Sequence, residues 1–371
     1  MTGWRAERVG DGSAGEPVDQ AAVAKLGARY RERLDRQREF TERMLGLIGS
    51  LLREKDIDVV QLEARTKSVD SLLEKVQRKT EKYADPLDQI TDLTGIRIVT
   101  YYLEDLPRVA AILALEFEVD WDNTVDWRSA AEPEQFGYES SHYIVCLPAE
   151  RLRFGEWRAF AGFRAEVQVR TALQHAWASI SHKLVYKRDE LSPAPLRRRL
   201  ARLSALLGLA DEQFSELARE AAELQNTYTA RVSSGELDIP LDPLSLRAYT
   251  GSPEVRRVVA ELAQAGGWVL IQPPDSAAIV EQDSRDLLRV CAALGVETLG
   301  ELGSAALAPA ARRTVAAFRK LRQPGSVDTE ITAEDLLTRL LIVHRRADLD
   351  VFGKVYGKEV VDVLQTVLGQ A

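Results

Sequence analysis

The chain is short of the residues that build disulfides, metal cages and membrane spans. Among 371 residues there are two cysteines, two methionines and four histidines. Cys146 and Cys291 lie far apart in apolar runs, which excludes a disulfide framework and points to buried thiols in a reducing, cytoplasmic setting. His142, His175, His182 and His344 form no close pattern with an acid, so the sequence does not indicate a transition-metal site. No hydrophobic run approaches a membrane span, and the polar, Gly-containing stretch from Met1 to Gly15 lacks the apolar core of a signal peptide. No membrane partner is expected. Positive charge is also scarce: 49 Lys and Arg face 57 Asp and Glu, for a net charge of -8. A global basic field for nucleic acid is therefore absent, and contact with phosphates must come from local clusters.

What remains is ordinary soluble-protein composition, 45% hydrophobic and 29% charged, in a chain long enough for two domains. Residues 1–18 read as a flexible N-terminus. From Val18 to Arg53 the residues Leu26, Tyr30, Leu34, Phe40, Met44, Leu47 and Leu51 recur at helical intervals. A second helix is predicted from Ser68, a capping residue, to about Lys82. The period then shortens. Gly95–Tyr101 reads as a strand, 106–115 as a helix, 117–121 as a short strand, 122–136 as an acidic loop and 143–147 as a strand. In Ala165–Arg170, Val167 and Val169 face one way while Glu166, Gln168 and Arg170 face the other. A helix over 171–186 is predicted to have Leu173, Trp177, Ile180 and Leu184 as its apolar stripe, and a long helix to follow over 197–225. Residues 234–245 read as a linker, and 246–371 as a mainly helical domain with one strand at 268–272.

Four clusters between residues 65 and 187 carry candidate chemistry. Arg65, Lys67 and Ser68 stand before a helix that carries Lys75, Arg78 and Lys79; a helix N-terminus with cations suits a polyphosphate, although an ordinary basic surface would look alike. Asp92 precedes a strand on which Arg97 emerges, and it could equally cap a turn. Gly137-Tyr138-Glu139-Ser140-Ser141-His142 enters the next strand with an aromatic that could stack on a base. Glu166, Gln168 and Arg170 share one strand face and lead into His175, His182 and Lys183. Three polar side chains together either face solvent or line a site, since an unpaired buried charge is costly. Phosphoryl-type transfer needs hard oxygen ligands for Mg²⁺, cations for the phosphates and a base near the attacking hydroxyl, and all three kinds of group occur here.

Taken in order, the stretches ARTKSVDSLLEKVQRK, DLTGIRIVT, FGYESSHYIV and AEVQVRTALQHAWASISHKLVYK resemble the RelA/SpoT synthetase domain, the small alarmone synthetase family. The resemblance spans roughly residues 20–225. It implies an α+β fold, a nucleotidyltransferase-like mixed sheet flanked by helices over 19–233; residues 246–371 lie outside the resemblance and read, from their size and the Pro-containing segment before them, as a helical accessory domain that packs, oligomerises or regulates. It implies ATP as donor and the 3′-hydroxyl of GDP or GTP as acceptor. By motif, Asp92 and Glu166 would hold Mg²⁺, with Glu166 alternatively the base. Arg65 and Arg97 would sandwich adenine, and Lys67, Ser68 and Lys75 would hold the ATP phosphates. Tyr138 would stack on the acceptor base, with His142, Gln168 and Lys183 near the acceptor and Arg170 and His175 in support. Two departures fall on the acceptor side: Phe136 stands where many members have Asn, and Glu139 where a basic residue or Gln is common. Toxic members of the superfamily modify the 3′ end of tRNA instead, and Arg197-Arg198-Arg199 with Arg202 could receive an RNA. Such a chain would act in toxin–antitoxin or phage-defence settings, with an antitoxin or sensor partner for the C-terminal domain; a homo-oligomer is also compatible. No His is followed by Asp, the pair that marks the family's hydrolase domain, so synthesis alone is expected.

Overall fold

A computed structural model describes residues 20–78, 85–125, 140–184, 194–271, 277–321 and 329–345. The chain divides into two compact units, Met1–Leu217 and Ala218–Ala371.

The first unit opens with helix α1 (Gln20–Glu54), then strand β1 (Val59–Thr66), α2 (Val69–Arg78) and α3 (Pro86–Gln89). Next come β2 (Thr94–Thr100), α4 (Asp105–Glu116), β3 (Glu118–Val119), β4 (Ser141–Cys146) and α5 (Ala149–Leu152). It continues with β5 (Arg164–Thr171), α6 (Ala172–Leu184) and α7 (Ala194–Ser233), the last running past the boundary between units. The sheet order is β1-β2-β5-β4-β3. The β2–β5 pair is parallel and its neighbours are antiparallel, so the sheet is mixed. The α+β reading of the sequence holds.

The sheet has one apolar and one polar face because its strands alternate with period two. Ile96 and Ile98, Val167 and Val169, and Tyr143 and Val145 are buried. They pack with Phe40, Met44 and Ile48 of α1 and with Leu106, Val109 and Leu113 of α4. The C-terminal half of the α1 stripe predicted from spacing, Phe40, Met44, Leu47 and Leu51, covers the sheet, while Leu26, Tyr30 and Leu34 pack in a separate core with Leu72, Leu87 and Ile90. A chain of hydroxyls ties α1 to the end of β1 and the start of β2. Thr94 Oγ1 accepts from Gln37 Nε2 at 2.8 Å and lies 2.7 Å from Thr41 Oγ1, to which Thr66 Oγ1 donates at 2.9 Å.

Three expectations are corrected. Strand β1 was not anticipated, although Leu62 and Ala64 alternate with Gln61, Glu63 and Arg65. The apolar stripe predicted for α6 is not buried where it is described: Leu173 and Trp177 are half-buried and Ile180 is 54% exposed, while Gln174 is buried. Gln174 Oε1 accepts from the Thr171 N–H while Thr171 Oγ1 accepts from the Gln174 N–H, so the helix start is fixed by a polar box. Third, residues 234–245 are built into the second unit. Ile239 is fully buried, the Leu241 N–H donates to Glu297 O, and Asp242 caps α8 (Pro243–Gly251).

The rest of the second unit is α9 (Pro253–Gly266), β6 (Val269–Leu270), α10 (Ala277–Ala293), α11 (Leu299–Ala306), α12 (Ala311–Leu321), β7 (Glu330–Ile331) and α13 (Ala333–His344). Strand β6, within the predicted 268–272, pairs in parallel with β7. Helix α13 is buried from Leu336 to Val343. Gly266 is obligatory, since a Cβ there would come within 2.2 Å of the Trp268 ring.

Candidate active site

The polar sheet face collects most of the predicted site residues. Cross-strand partners share a face, so the register decides which side chains meet. Glu63 stands opposite Arg97, and Arg65 opposite Gly95. Gly95 stands opposite Glu166, and Arg97 opposite Gln168. His142 in turn pairs with Gln168. The face therefore reads, from β1 to β4, Glu63 and Arg65, then Arg97, then Glu166 and Gln168, then His142.

An open cleft lies over its first half, lined by Glu63, Ala64, Arg65, Gly95, Ile96, Arg97 and Gln168. Gly95 leaves room there, and Arg65 lies across it: a Cβ at Gly95 would sit 3.6 Å from Arg65 Cγ and Nε. Arg97 is ion-paired with Glu63, whose other oxygen accepts from Gln61 Nε2 at 2.8 Å. A flat, half-apolar slot between two guanidinium groups suits a planar base, because guanidinium planes stack on π-systems.

Behind the slot, positive charge is under-compensated. Arg170 is buried, and its guanidinium pKa is brought down to about 10 by burial and then by the neighbouring Arg97. Burial also lowers the His175 pKa, aided by Arg170 and Arg97. Arg97 Nε, Arg170 Nε and His175 Nδ1 lack hydrogen-bond partners among the described residues. Buried polar atoms without partners are costly unless a ligand supplies them.

At the start of β2, Asp92 is gripped by two ammonium groups, Lys67 at 2.8 Å and Lys75 at 2.9 Å. Burial opposes its ionisation, but the two lysines outweigh burial and hold the carboxyl below its ordinary value. Lys67 is placed by Tyr30, whose hydroxyl donates to the Lys67 carbonyl at 2.8 Å. Ser68 caps α2, its Oγ accepting from the Ser71 N–H at 3.2 Å. At the other end of the face, His142 Nδ1 is 2.8 Å from Glu166 Oε1, and Ser140 Oγ is 2.9 Å from His142 Nε2.

Asp92 and Glu166 are engaged separately, one with lysines and the other with a histidine. Asp92 lies in the turn before β2, three residues ahead of the Gly95 that stands opposite Glu166. Among the described residues, no three His, Cys, Asp or Glu stand together as a metal cage. Lys183 is exposed near the end of α6, two turns beyond His175. Phe136, Gly137, Tyr138, Glu139, Lys79 and Tyr186 lie outside the described residues. Sequence reasoning missed Glu63 and Gln61, and it named Ser140 in a cluster without giving it a role. The alternation over 61–65 was a usable signal for the first two.

Residues 64–191 match the family described as the region found in RelA / SpoT proteins. The chain is 31% identical over 173 residues to GTP pyrophosphokinase YjbM of Bacillus subtilis, covering 46% of this chain and 78% of that protein. It is 27% identical over 162 residues to GTP pyrophosphokinase YwaC of the same organism, covering 43% and 73%. Among solved structures, the crystal structure of small alarmone synthetase 1 from Bacillus subtilis aligns with a TM-score of 0.42 at 26% identity, covering 53% of this chain and 99% of that one. The family match ends at residue 191, before the second unit begins.

Proposed function

The chain belongs to the RelA/SpoT family of pyrophosphokinases, and from that membership we propose that it transfers the β,γ-pyrophosphate of ATP to the 3′-hydroxyl of GDP or GTP, making (p)ppGpp without hydrolysing it. The 3′-oxygen attacks the β-phosphorus, the bond to the α-phosphate oxygen breaks, AMP leaves, and the hydroxyl proton passes to a base. The observation that carries this reading is the ordered polar face: a two-arginine slot, a cation-rich floor and a carboxylate–imidazole pair on adjacent strands.

Each residue then has a part in the reaction. Arg65 and Arg97 sandwich the adenine in the cleft over Gly95. Lys67, Ser68 and Lys75 take the phosphates, the lysines exchanging part of their hold on Asp92 for phosphate oxygens. Arg170 and His175 support the site from behind, offering ring and guanidinium nitrogens that lack partners among the described residues. Glu166 receives the 3′-hydroxyl proton, with His142 holding the carboxylate and Ser140 holding the imidazole. His142, Gln168 and Lys183 border the acceptor, and Tyr138 stacks on its base. A site with few carboxylates and no histidine–cysteine cage suits Mg²⁺, which takes one or two carboxylates and leaves its other positions to water and substrate phosphates. Asp92 would hold it, with Glu166 as a second ligand where it does not serve as the base. The ion's chemistry there is to neutralise charge on the transferred group.

The test is transfer of label from γ-labelled ATP by the purified chain, offered GDP, GTP or deacylated tRNA in parallel. Label on the guanosine nucleotides is expected. Label on tRNA alone would sink the proposed acceptor.

A further inference from the structure

The cleft over Gly95 has one wall to which stacking gives no task. Arg65 and Arg97 present guanidinium faces there, and such faces hold any planar base alike. Stacking therefore decides that a base binds, not which base, because every base has a π-face. Selection needs a hydrogen-bonding group at the edge of the ring, where the bases differ in donors and acceptors. Among the described residues lining the cleft, Glu63 is the sole acid.

The sheet aims this carboxylate. Glu63 stands opposite Arg97 across β1 and β2, and Arg97 Nη1 donates to its Oε1. Gln61, two residues back on the same face of β1, donates from Nε2 to its Oε2 at 2.8 Å. Each oxygen is thus steadied by one donor and keeps acceptor capacity, since a carboxylate offers about four lone-pair sites. The side chain remains 43% exposed, so the ion pair does not close it off from the cleft. A carboxylate only accepts and a guanidinium only donates. The walls therefore set one accepting group among several donors. Adenine is the complement: its 6-amino group donates, and its ring nitrogens accept. Guanine carries an accepting oxygen at the same position, which a carboxylate repels.

We infer that Glu63 accepts a hydrogen bond from the 6-amino group of the donor nucleotide and so selects its base, an inference that rests on the reading of this cleft as the adenine site. The Arg97–Glu63 pair then does two things at once. Arg97 supplies a stacking face, and its guanidinium holds the carboxylate that reads the edge of the stacked ring.

Calorimetric titration of the full chain with Mg²⁺ and no acceptor tests this, because base recognition is then read without turnover. The probes are ATP and purine riboside triphosphate, which is ATP with hydrogen in place of the 6-amino group. The native chain is expected to bind ATP about tenfold to a hundredfold more tightly, the range for a hydrogen bond to a charged group. Glu63→Ala should bring the two nucleotides level. Loss of the partner of Arg97 weakens both alike, so the readout is their ratio and not either affinity. The native comparison needs no substitution and stands even where the variant misfolds. Equal affinity of the native chain for the two nucleotides overturns the inference and leaves the adenine cleft in place, with Glu63 serving Arg97 alone. A gap that survives Glu63→Ala overturns it too, and passes the amino group to another acceptor such as the Gln168 amide. Absence of measurable ATP binding removes the donor reading itself, which the label-transfer assay reports independently.

Discussion

In the first unit, the acids at the polar sheet face are matched to cations: Asp92 to Lys67 and Lys75, Glu63 to Arg97. In the second unit, Asp283 and Glu334 are packed among helices with hydroxyl partners instead, Asp283 accepting from Thr332 at 2.6 Å. Burial pushes both of these carboxyls above their ordinary values, with nearby acids adding to it. One unit therefore keeps its key acid ionised and ready to exchange partners with a ligand. The other accepts an electrostatic penalty in a helical core that has no polar face to serve. The contrast shows that similar degrees of burial have opposite consequences depending on whether a cation is within reach.

The largest expected effect separates chemistry from folding. Glu166→Gln should lower the rate of labelled transfer by roughly 10²- to 10⁴-fold, the range for loss of a general base, while leaving hydrogen-exchange protection of β5 unchanged. A matching loss of protection would make Glu166 structural. Next, core truncation should strike each unit by itself. Ile98→Ala and Leu340→Ala, both at fully buried positions, should each cost about 2–5 kcal/mol, read by denaturant titration with peptide-resolved hydrogen exchange. Equal loss of protection in both units from either change would show that they fold as one.

Smaller effects sharpen the electrostatic contrast. Glu63→Gln should raise the KM for ATP about threefold to fivefold with little change in kcat, since the half-exposed pair positions Arg97 rather than touching the reacting atoms. A fall in kcat at unchanged KM would refute that role. The smallest effect is in pH. The Asp92 carboxyl is lowered from 3.8, so its stabilisation is present above that value and fades as pH falls through the lower folded-state value. Glu334 is raised from 4.5, so its penalty is absent at acid pH, grows as pH rises above 4.5 and is complete above the folded-state value. Glu334→Gln should therefore stabilise the second unit at pH 7 and lose that advantage near pH 4. An advantage independent of pH would assign the effect to packing.

Local patterning alone was enough for the elements whose two faces differ strongly. The spacing of Tyr30, Phe40 and Met44 defines the face of α1, and alternation over 165–170 puts Glu166, Gln168 and Arg170 on one side of β5. Ser68 announced the start of α2, because a hydroxyl before an apolar period has a local partner to cap. These features depend on neighbours a few residues away, so a linear chain carries them.

Only the tertiary structure decided which faces meet. Strand β1 has a weak alternation of its own and becomes a strand because β2 supplies its hydrogen bonds; that pairing sets Glu63 against Arg97. The parallel register of β2 and β5 places Gly95 opposite Glu166, and no local rule measures a distance across some seventy residues of intervening chain. Residues 234–245 looked like a linker because Pro, Gly and Asp punctuate them, yet Ile239 is drawn into a core formed by residues far along the chain. On α6, the large apolar residues suggested the buried stripe, whereas the polar box of Thr171 and Gln174 and the bond from Thr171 to Asp211 fix how the helix begins. Sequence periodicity shows how a segment divides into faces; which face is buried is decided by long-range hydrogen bonds and packing that form only when distant segments come together.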